Sequence, residues 1–377
     1  MKNGWKEMGV GEILQLEYGK PLDESDRKPN GRFPVYGANG EKDRTDKFYH
    51  EKPSIIVGRK GSAGEINLTE KKFWPLDVTY FVTFDEKQHD LRFLYYLLTT
   101  LDLPKLAKGV KPGINRNEVY SKVAKVPSLP EQKRIVGILD EAFEGIATAK
   151  ATAEKNLQNA HALFESHLQS VFTQRAEGWL EKNLEDVCDQ ITDGKHGDCQ
   201  DEEGSGYYFL SAKDVKNGTL NYAKARQITR ADFEETHRRT NLEPGDILIT
   251  NAGTIGRMAI APSDDRTART TFQKSVAILK PKRKVIDSTF AFYCLSSGLT
   301  RFVNLSAGAA QKNLLLRDLR SYYFALPSQL DEQRKVASKL SALSTETQRL
   351  EFIYQQKHVG LEALKKSLLH QAFTGQL

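Results

Sequence analysis

Two stretches of this chain repeat apolar residues every three or four positions for much longer than an ordinary globular helix does. In the later stretch the positions are Val336, Leu340, Leu343, Thr347, Leu350, Tyr354, Lys357, Leu361, Leu364 and Leu368. In the earlier one the same register, 201 residues upstream, gives Ile135, Leu139, Ala142, Ile146, Ala149, Ala153, Asn156, Ala160, Leu163 and His167. Such spacing keeps one helical face in register. Sustained over this length, it predicts two helices packed along their length as a coiled coil. Large residues in one stretch often stand where the other has alanine. The polar Asn156, Thr347 and Lys357 are candidate register-setting positions or points where the coil loosens. Each stretch follows a Pro-Ser stop and carries glutamate in its first turn, where the helix dipole favours it. About 43 residues each corresponds to roughly 65 Å, against a mean of about 11–12 residues for globular helices. Gly145 and Gly360 are candidate bends.

The opening motifs match as well. Residues 127–136 read Pro-Ser-Leu-Pro-Glu-Gln-Lys-Arg-Ile-Val and residues 327–336 read Pro-Ser-Gln-Leu-Asp-Glu-Gln-Arg-Lys-Val. From Glu131 onward the alignment is gapless and extends to Phe172-Thr173 and Phe373-Thr374. The segments ahead of the helices are related more faintly. Gly4-Trp5 answers Gly178-Trp179, and residues 55–64 answer residues 247–256, each a β-rich run followed by a loop with two glycines three apart. Residues 78–84 and 275–279 read as further strands, and residues 91–101 and 290–302 as helices. The predicted fold class is therefore α/β (α+β) domains plus a long α-helical coiled coil, arranged as a tandem pseudo-twofold repeat of domain and long helix. The boundaries are residues 1–126 for the first domain, 127–175 for its helix, 176–326 for the second domain and 327–377 for its helix. A shared scaffold with two divergent heads suits a protein that reads two different things at a fixed distance.

Composition narrows the function classes. Charged residues make up 28% of the 377 residues and the formal net charge is +6, which permits a polyanionic partner without requiring one. Mean hydropathy is −0.53. No apolar run of about 20 residues is present, and the N-terminus lacks an apolar signal core, so a cytoplasmic protein without membrane association is expected. Cys188, Cys199 and Cys294 are odd in number and form no C-x-x-C pair, and His196 adds no common ligand spacing, so neither a disulfide framework nor a metal site is expected. A Gly-x-x-x-x-Gly-Lys-[Ser/Thr] phosphate loop is absent, as are Asn-Pro-Pro-Tyr and Asp-Pro-Pro-Tyr. The glycine loops at 58–64 and 253–256 lack the Gly-x-Gly-x-x-Gly order of a dinucleotide site and read as tight turns. The chain is expected to be non-catalytic and to hold no cofactor.

With its paired Pro-(x)-(x)-Glu-Gln-(Lys/Arg) helix openings, its closing Phe-Thr-Gly-Gln-Leu at residues 373–377 and its β-rich runs with Gly-x-x-Gly loops, the chain resembles a full-length specificity subunit of type I restriction–modification systems. The first helix departs from the pattern by ending Phe172-Thr173-Gln174, without the glycine found at Gly375. The resemblance implies that each α/β segment is a target-recognition domain reading one half of a split double-stranded DNA site. It implies that the helices lie antiparallel as a ruler for the spacer. It further implies two methyltransferase subunits carrying S-adenosylmethionine, and restriction/translocase subunits using ATP and Mg.

On that reading the base-reading and phosphate-contacting candidates are Arg, Lys, Asn, Gln and small donors in the paired loops. In the first domain these are Arg32, Tyr36, Asn39, Arg59, Lys60, Ser62, Lys111, Asn115 and Arg116. In the second they are Lys195, His196, Lys213, Asn251, Thr254, Arg257, Gln273, Lys274, Gln311, Lys312 and Arg317, with Arg266, Arg269 and Asn313 nearby. Phe143, Phe164 and Phe352 lie off the main helical stripe and are expected to meet the methyltransferase subunits. The rival readings are a coiled-coil adaptor whose heads bind proteins, and a nuclease with an unrecognised site.

Overall fold

The computed structural model describes residues 4–174, 178–216, 218–299 and 313–377. The chain divides into two units, one made of Met1–Glu154 with Tyr354–Leu377 and the other of Lys155–Ile353. Each contains one head and a part of both long helices.

In the first unit the elements run β1 (Lys6–Gly9), α1 (Val10–Ile13), β2 (Leu14–Tyr18), β3 (Phe33–Gly37), β4 (Gly40–Thr45), β5 (Ser54–Gly58), β6 (Ile66–Thr69), β7 (Trp74–Pro75), β8 (Thr79–Phe84), α2 (Leu91–Thr100), α3 (Arg116–Tyr120) and β9 (Val123–Val126). The continuous apolar run of β5 is buried throughout, as its lack of alternation requires. It sits inside an antiparallel sheet of order β2-β8-β5-β6. A second sheet has order β4-β3-β7, with β3 and β7 parallel. Strands β1 and β9 pair antiparallel, bringing the start of the head to its exit. The Asp90 carboxylate caps α2 by accepting from the backbone N–H groups of Arg92 and Phe93 at 2.9 and 3.0 Å, which satisfies donors the helix leaves unpaired. The buried face of α2, Phe93, Leu94, Leu97 and Leu98, fills the core beside β2, β5 and β8.

The second unit repeats this order with additions. Its elements are β10 (Trp179–Asn183), α5 (Leu184–Val187), β11 (Cys188–Asp193), β12 (Tyr208–Leu210), β13 (Val215–Lys216), β14 (Thr219–Leu220), β15 (Arg226–Gln227), α6 (Arg230–Thr240), β16 (Ile247–Thr250), β17 (Met258–Ile260), β18 (Thr270–Phe272), β19 (Val276–Pro281), α7 (Ser288–Ser297), α8 (Leu316–Arg320) and β20 (Tyr323–Pro327). The sheets β11-β19-β16-β17 and β15-β12-β18 and the pair β10-β20 reproduce those of the first unit strand for strand. The β13-β14 hairpin and α6 have no counterpart among the described residues of the first unit. The second predicted helix, 290–302, starts two residues earlier than expected and is described to Ser297, and residues 300–302 lie outside the described set. Cys188, Cys199 and Cys294 are free, buried thiols, and burial pushes the Cys188 thiol up to about 12.

The long helices are α4 (Leu129–Thr173) and α9 (Leu330–Thr374), 45 residues each, with bounds related by the same 201-residue shift. Both continue through Gly145 and Gly360, so neither glycine breaks its helix. Within the first unit Ile135, Val136 and Leu139 of α4 share a core with Leu368, Leu369 and Ala372 of α9, and Lys150 pairs with Glu362. Within the second unit Leu168 of α4 meets Leu340 of α9. In each unit, then, the start of one helix meets the end of the other, and the two run antiparallel.

The buried face departs from the predicted stripe after Ala153. Asn156, Leu163 and His167 are exposed, Leu163 by 65%, whereas Phe164 is half-buried and Leu168 is buried. In α9 Lys357 and Leu364 are likewise exposed. A strict seven-residue alternation presumes 3.5 residues per turn, and a straight helix at 3.6 drifts by about 20° per heptad, which moves the inward face on by one position.

The repeated Glu-Gln motif has a structural meaning that periodicity alone does not show. Gln132 is fully buried; its Oε1 accepts from the Asp90 N–H at 2.9 Å and its Nε2 donates to the carbonyls of Gln88 and Pro127 at 3.0 and 2.9 Å. Gln333 makes the same three bonds, with the Asp287 N–H at 2.9 Å and the Val285 and Pro327 carbonyls at 3.1 and 2.8 Å. Each glutamine fastens the first turn of a long helix to the cap of the short helix in its own head.

Candidate nucleic-acid interface

The glycine loop that follows β5 is built by backbone geometry. Gly61 and Gly64 have φ of +82° and +87°, values that side chains rarely adopt. The loop closes with Gly64 N–H donating to the Gly58 carbonyl at 2.8 Å. It is then tied to the segment before α3. Gly61 N–H donates to the Pro112 carbonyl at 2.8 Å and Ile114 N–H to the Arg59 carbonyl at 3.0 Å. Two loops that stand apart in the sequence, Arg59–Ser62 and Lys111–Arg116, therefore form one surface. The β3–β4 hairpin joins them from the other side, and Asn39, Glu41 and Lys42 line a cleft of about 540 Å³ with Lys60 and Ser62.

The second unit reproduces the frame with different side chains. Gly253 and Gly256 have φ of +76° and +87°. Gly256 N–H donates to the Thr250 carbonyl at 2.9 Å and Leu314 N–H to the Asn251 carbonyl at 2.8 Å. Asn251 thus occupies the place of Arg59. Its side chain is 8% exposed and its Oδ1 is buried without a hydrogen-bond partner among the described residues, an arrangement that costs stability unless something donates to it. Thr254 is exposed at the loop tip and Arg257 is half-buried behind it.

A shared Gly-Lys dipeptide, not singled out from sequence, marks a second equivalent position. Gly19 N–H donates to the Thr79 carbonyl at 3.1 Å and Gly194 N–H to the Val276 carbonyl at 3.2 Å. A Cβ on either would lie 2.0 Å from a backbone carbonyl oxygen, of Leu76 or of Phe272. Beside them stand Lys20, exposed over the Tyr49 ring at 5.1 Å, and Tyr18. Lys42 of the cleft was missed as well.

Several candidates are occupied within the protein. Lys195 pairs with Asp232 at 2.7 Å and Glu235 at 3.0 Å and is only 15% exposed. Its hydrogen bond to Asp232 holds its pKa above the ordinary lysine range. It fastens α6 to the head, and two carboxylates of that helix already answer its charge. Tyr36 packs edge-on against Phe73 in the core. Arg32 pairs with Asp46 at 3.5 Å, and Asn115 caps α3 by accepting from Asn117 N–H at 2.9 Å. Lys60, Lys111, His196, Lys213, Gln273, Lys274 and Arg317 are exposed. His196 leans on Asp193 at 2.9 Å and Arg317 lies 3.5 Å from Asp318. Gln311 and Lys312 lie outside the described residues.

Two of the three helix phenylalanines are not free surface. Phe143 is half-buried edge-on to Tyr96 at 5.4 Å, and Phe164 packs on Tyr293 at 6.4 Å. A large apolar ring beside a head gains more by covering its helix than by facing water. Phe352 is 61% exposed. No helix among the described residues is long and apolar enough to cross a membrane, and no group of three or more His, Cys, Asp or Glu among them could hold a metal ion.

The family model for the type I restriction modification DNA specificity domain matches the chain twice, over residues 2–158 and 176–356. The type I restriction enzyme EcoBI specificity subunit of Escherichia coli is 24% identical over 322 residues, covering 78% of this chain and 67% of that protein. Among solved structures, a chain from work on complex assembly and conformational transition of the type I R-M system aligns over 100% of this chain and 99% of its own. Its TM-score is 0.77 at 18% identity. The HsdS subunit from Thermoanaerobacter tengcongensis aligns over 100% of this chain and 98% of its own, with a TM-score of 0.58 at 18% identity. With two matches that together span most of its length, this chain belongs to the type I restriction modification DNA specificity family.

Proposed function

We propose that the chain is the DNA-reading subunit of a type I restriction–modification complex and is itself non-catalytic. Each head reads one half of a bipartite double-stranded target, and the long helices set the spacer and dock two methyltransferase subunits. The observation that carries this reading is the loop frame built twice with the same backbone hydrogen bonds but different side chains, Arg59-Lys60 in one copy and Asn251-Ala252 in the other. A constant frame with variable donors is what two half-site readers require, since base edges are distinguished by donor and acceptor pattern. S-adenosylmethionine, ATP and Mg belong, on this reading, to the modification and restriction/translocase subunits, and the complex acts on cytoplasmic DNA.

The test is to map methylated positions in cells that express the chain with its modification subunits. The expected result is a single split motif with a fixed spacer. An undivided motif, or none, would overturn the reading, as would methylation or cleavage of DNA by the purified chain alone with S-adenosylmethionine or Mg.

A further inference from the structure

Several arginines of the first head have their charge answered inside the protein. Arg44 pairs with Glu41 at 3.0 Å, Arg32 with Asp46 at 3.5 Å and Arg92 with Asp140 at 2.9 Å. Arg59 and Arg116 have no carboxylate partner among the described residues. Both instead lie over one ring, that of Tyr18, with guanidinium carbons 5.3 and 5.1 Å from its centroid. Tyr18 is 47% exposed and is braced from behind by Tyr80 at 5.1 Å. Arg59 also donates through Nε and Nη2 to the Asp77 carbonyl at 3.1 and 2.5 Å, which uses one of its two forked edges. No described side-chain hydrogen bond engages Arg116.

The groups stand on fixed elements. Tyr18 ends β2, and Arg116 opens α3 directly after its Asn115 cap. That helix is anchored by the fully buried Val119 and by the Tyr120 hydroxyl, which accepts from Leu16 N–H at 2.7 Å. A guanidinium lying on an aromatic face has its plane set while its N–H edges stay free. Such a fixed fork matches the O6 and N7 acceptors of guanine, the pairing arginine makes most often with a base.

The second head discards this arrangement. Equivalent strand positions put Asp193 in place of Tyr18 and Ala277 in place of Tyr80, and Asn251 stands for Arg59. Phosphate contacts can be common to any target, whereas base contacts must differ where the half-sites differ. The arrangement present in one head and absent from the other therefore fits base readout.

We infer that Arg116 reads a guanine in the half-site of the first head, with Tyr18 as the positioning residue that holds its plane. The inference rests on the DNA-reading role proposed above. The experiment uses the full chain with its modification subunits and the motif mapped for it. In binding competition, each guanine of the motif is replaced in turn by 7-deazaguanine, which lacks the N7 acceptor. One guanine in one half-site should cost roughly tenfold to a hundredfold with the unmodified protein, and no further loss should follow at that position with Arg116→Gln. The same variant should shift the mapped motif there from guanine toward adenine, the base glutamine pairs with. Tyr18→Leu should weaken discrimination at that guanine about threefold to fivefold, and Tyr18→Phe should restore it. Insensitivity to 7-deazaguanine at every guanine would overturn the inference without touching the two-headed reading. A uniform loss across sequences with an unchanged motif and a salt slope lower by about one would also overturn it, assigning Arg116 to a phosphate. A wild-type complex without any split motif would overturn both.

Discussion

At the scale of single residues, the twin glutamines show how a sequence motif can be structural. Gln132 and Gln333 are each fully buried and each completes three hydrogen bonds. Truncating one leaves a buried N–H and two carbonyls without their partner, and an unsatisfied buried group costs about 1–3 kcal/mol. Gln132→Ala and Gln333→Ala should each lower stability by about 2–3 kcal/mol in urea unfolding, with the mapped DNA motif unaltered in the protein that remains folded. A loss below roughly 0.5 kcal/mol would mean the glutamine does not fasten the helix. The Glu-Gln pair was legible in the sequence as a helix opening, but its bonds to the turn before α2 or α7 were not, because those partners lie far away along the chain. The same distance hid Tyr18. Its significance comes from two arginines brought to it by a sheet and a loop. Lys195 went the opposite way, a cation by sequence that α6 turns into a half-buried tie through Asp232 and Glu235.

At the scale of elements, the long helices were readable in existence, length and matched register, because a hydrophobic stripe of that length fits little except a long helix with a partner along it. Their inward face beyond Ala153 was not. Heptad spacing and true helical pitch agree over a few turns and separate over ten, and only contacts with a neighbour decide which is followed. Leu163 at 65% exposure and Leu168 at 1% give a direct comparison between identical side chains. Leu168→Ala should cost about 2–4 kcal/mol through lost burial and a residual cavity, whereas Leu163→Ala should stay within about 0.5 kcal/mol. Equal losses in thermal or urea unfolding would restore the strict heptad seam. The strands of the heads were legible at β5 and β16, whose unbroken apolar runs admit few readings. The short strands β7, β13 and β14, two residues each, carry too little pattern to be seen.

At the scale of the whole chain, the proposed ruler role makes a prediction that depends on length alone. Facing heptads, residues 147–153 of α4 and 359–365 of α9, are centred on the Lys150–Glu362 ion pair. Deleting both shortens each helix by about 10 Å while turning its face by only about 20°. The spacer of the methylated motif should contract by about three base pairs at 3.4 Å per step, with both half-sites unchanged. An unaltered spacer in single-molecule methylation sequencing would refute the ruler.

Taken by itself, the sequence determined that the chain is one plan used twice, a mixed α/β head followed by a long helix, and that the helices are alike while the heads have diverged. It could do so because a repeat and a hydrophobic period are properties of order along the chain. Tertiary structure alone decided which loops meet, so that Arg59–Ser62 and Lys111–Arg116 became one surface. It also decided which cations are answered by carboxylates and which, as at Arg59 and Arg116, are not answered by one among the described residues. The physical reason is that hydrogen bonds, ion pairs and stacking act over a few ångströms of space, and residues far apart in sequence come within that range only when the sheets are assembled.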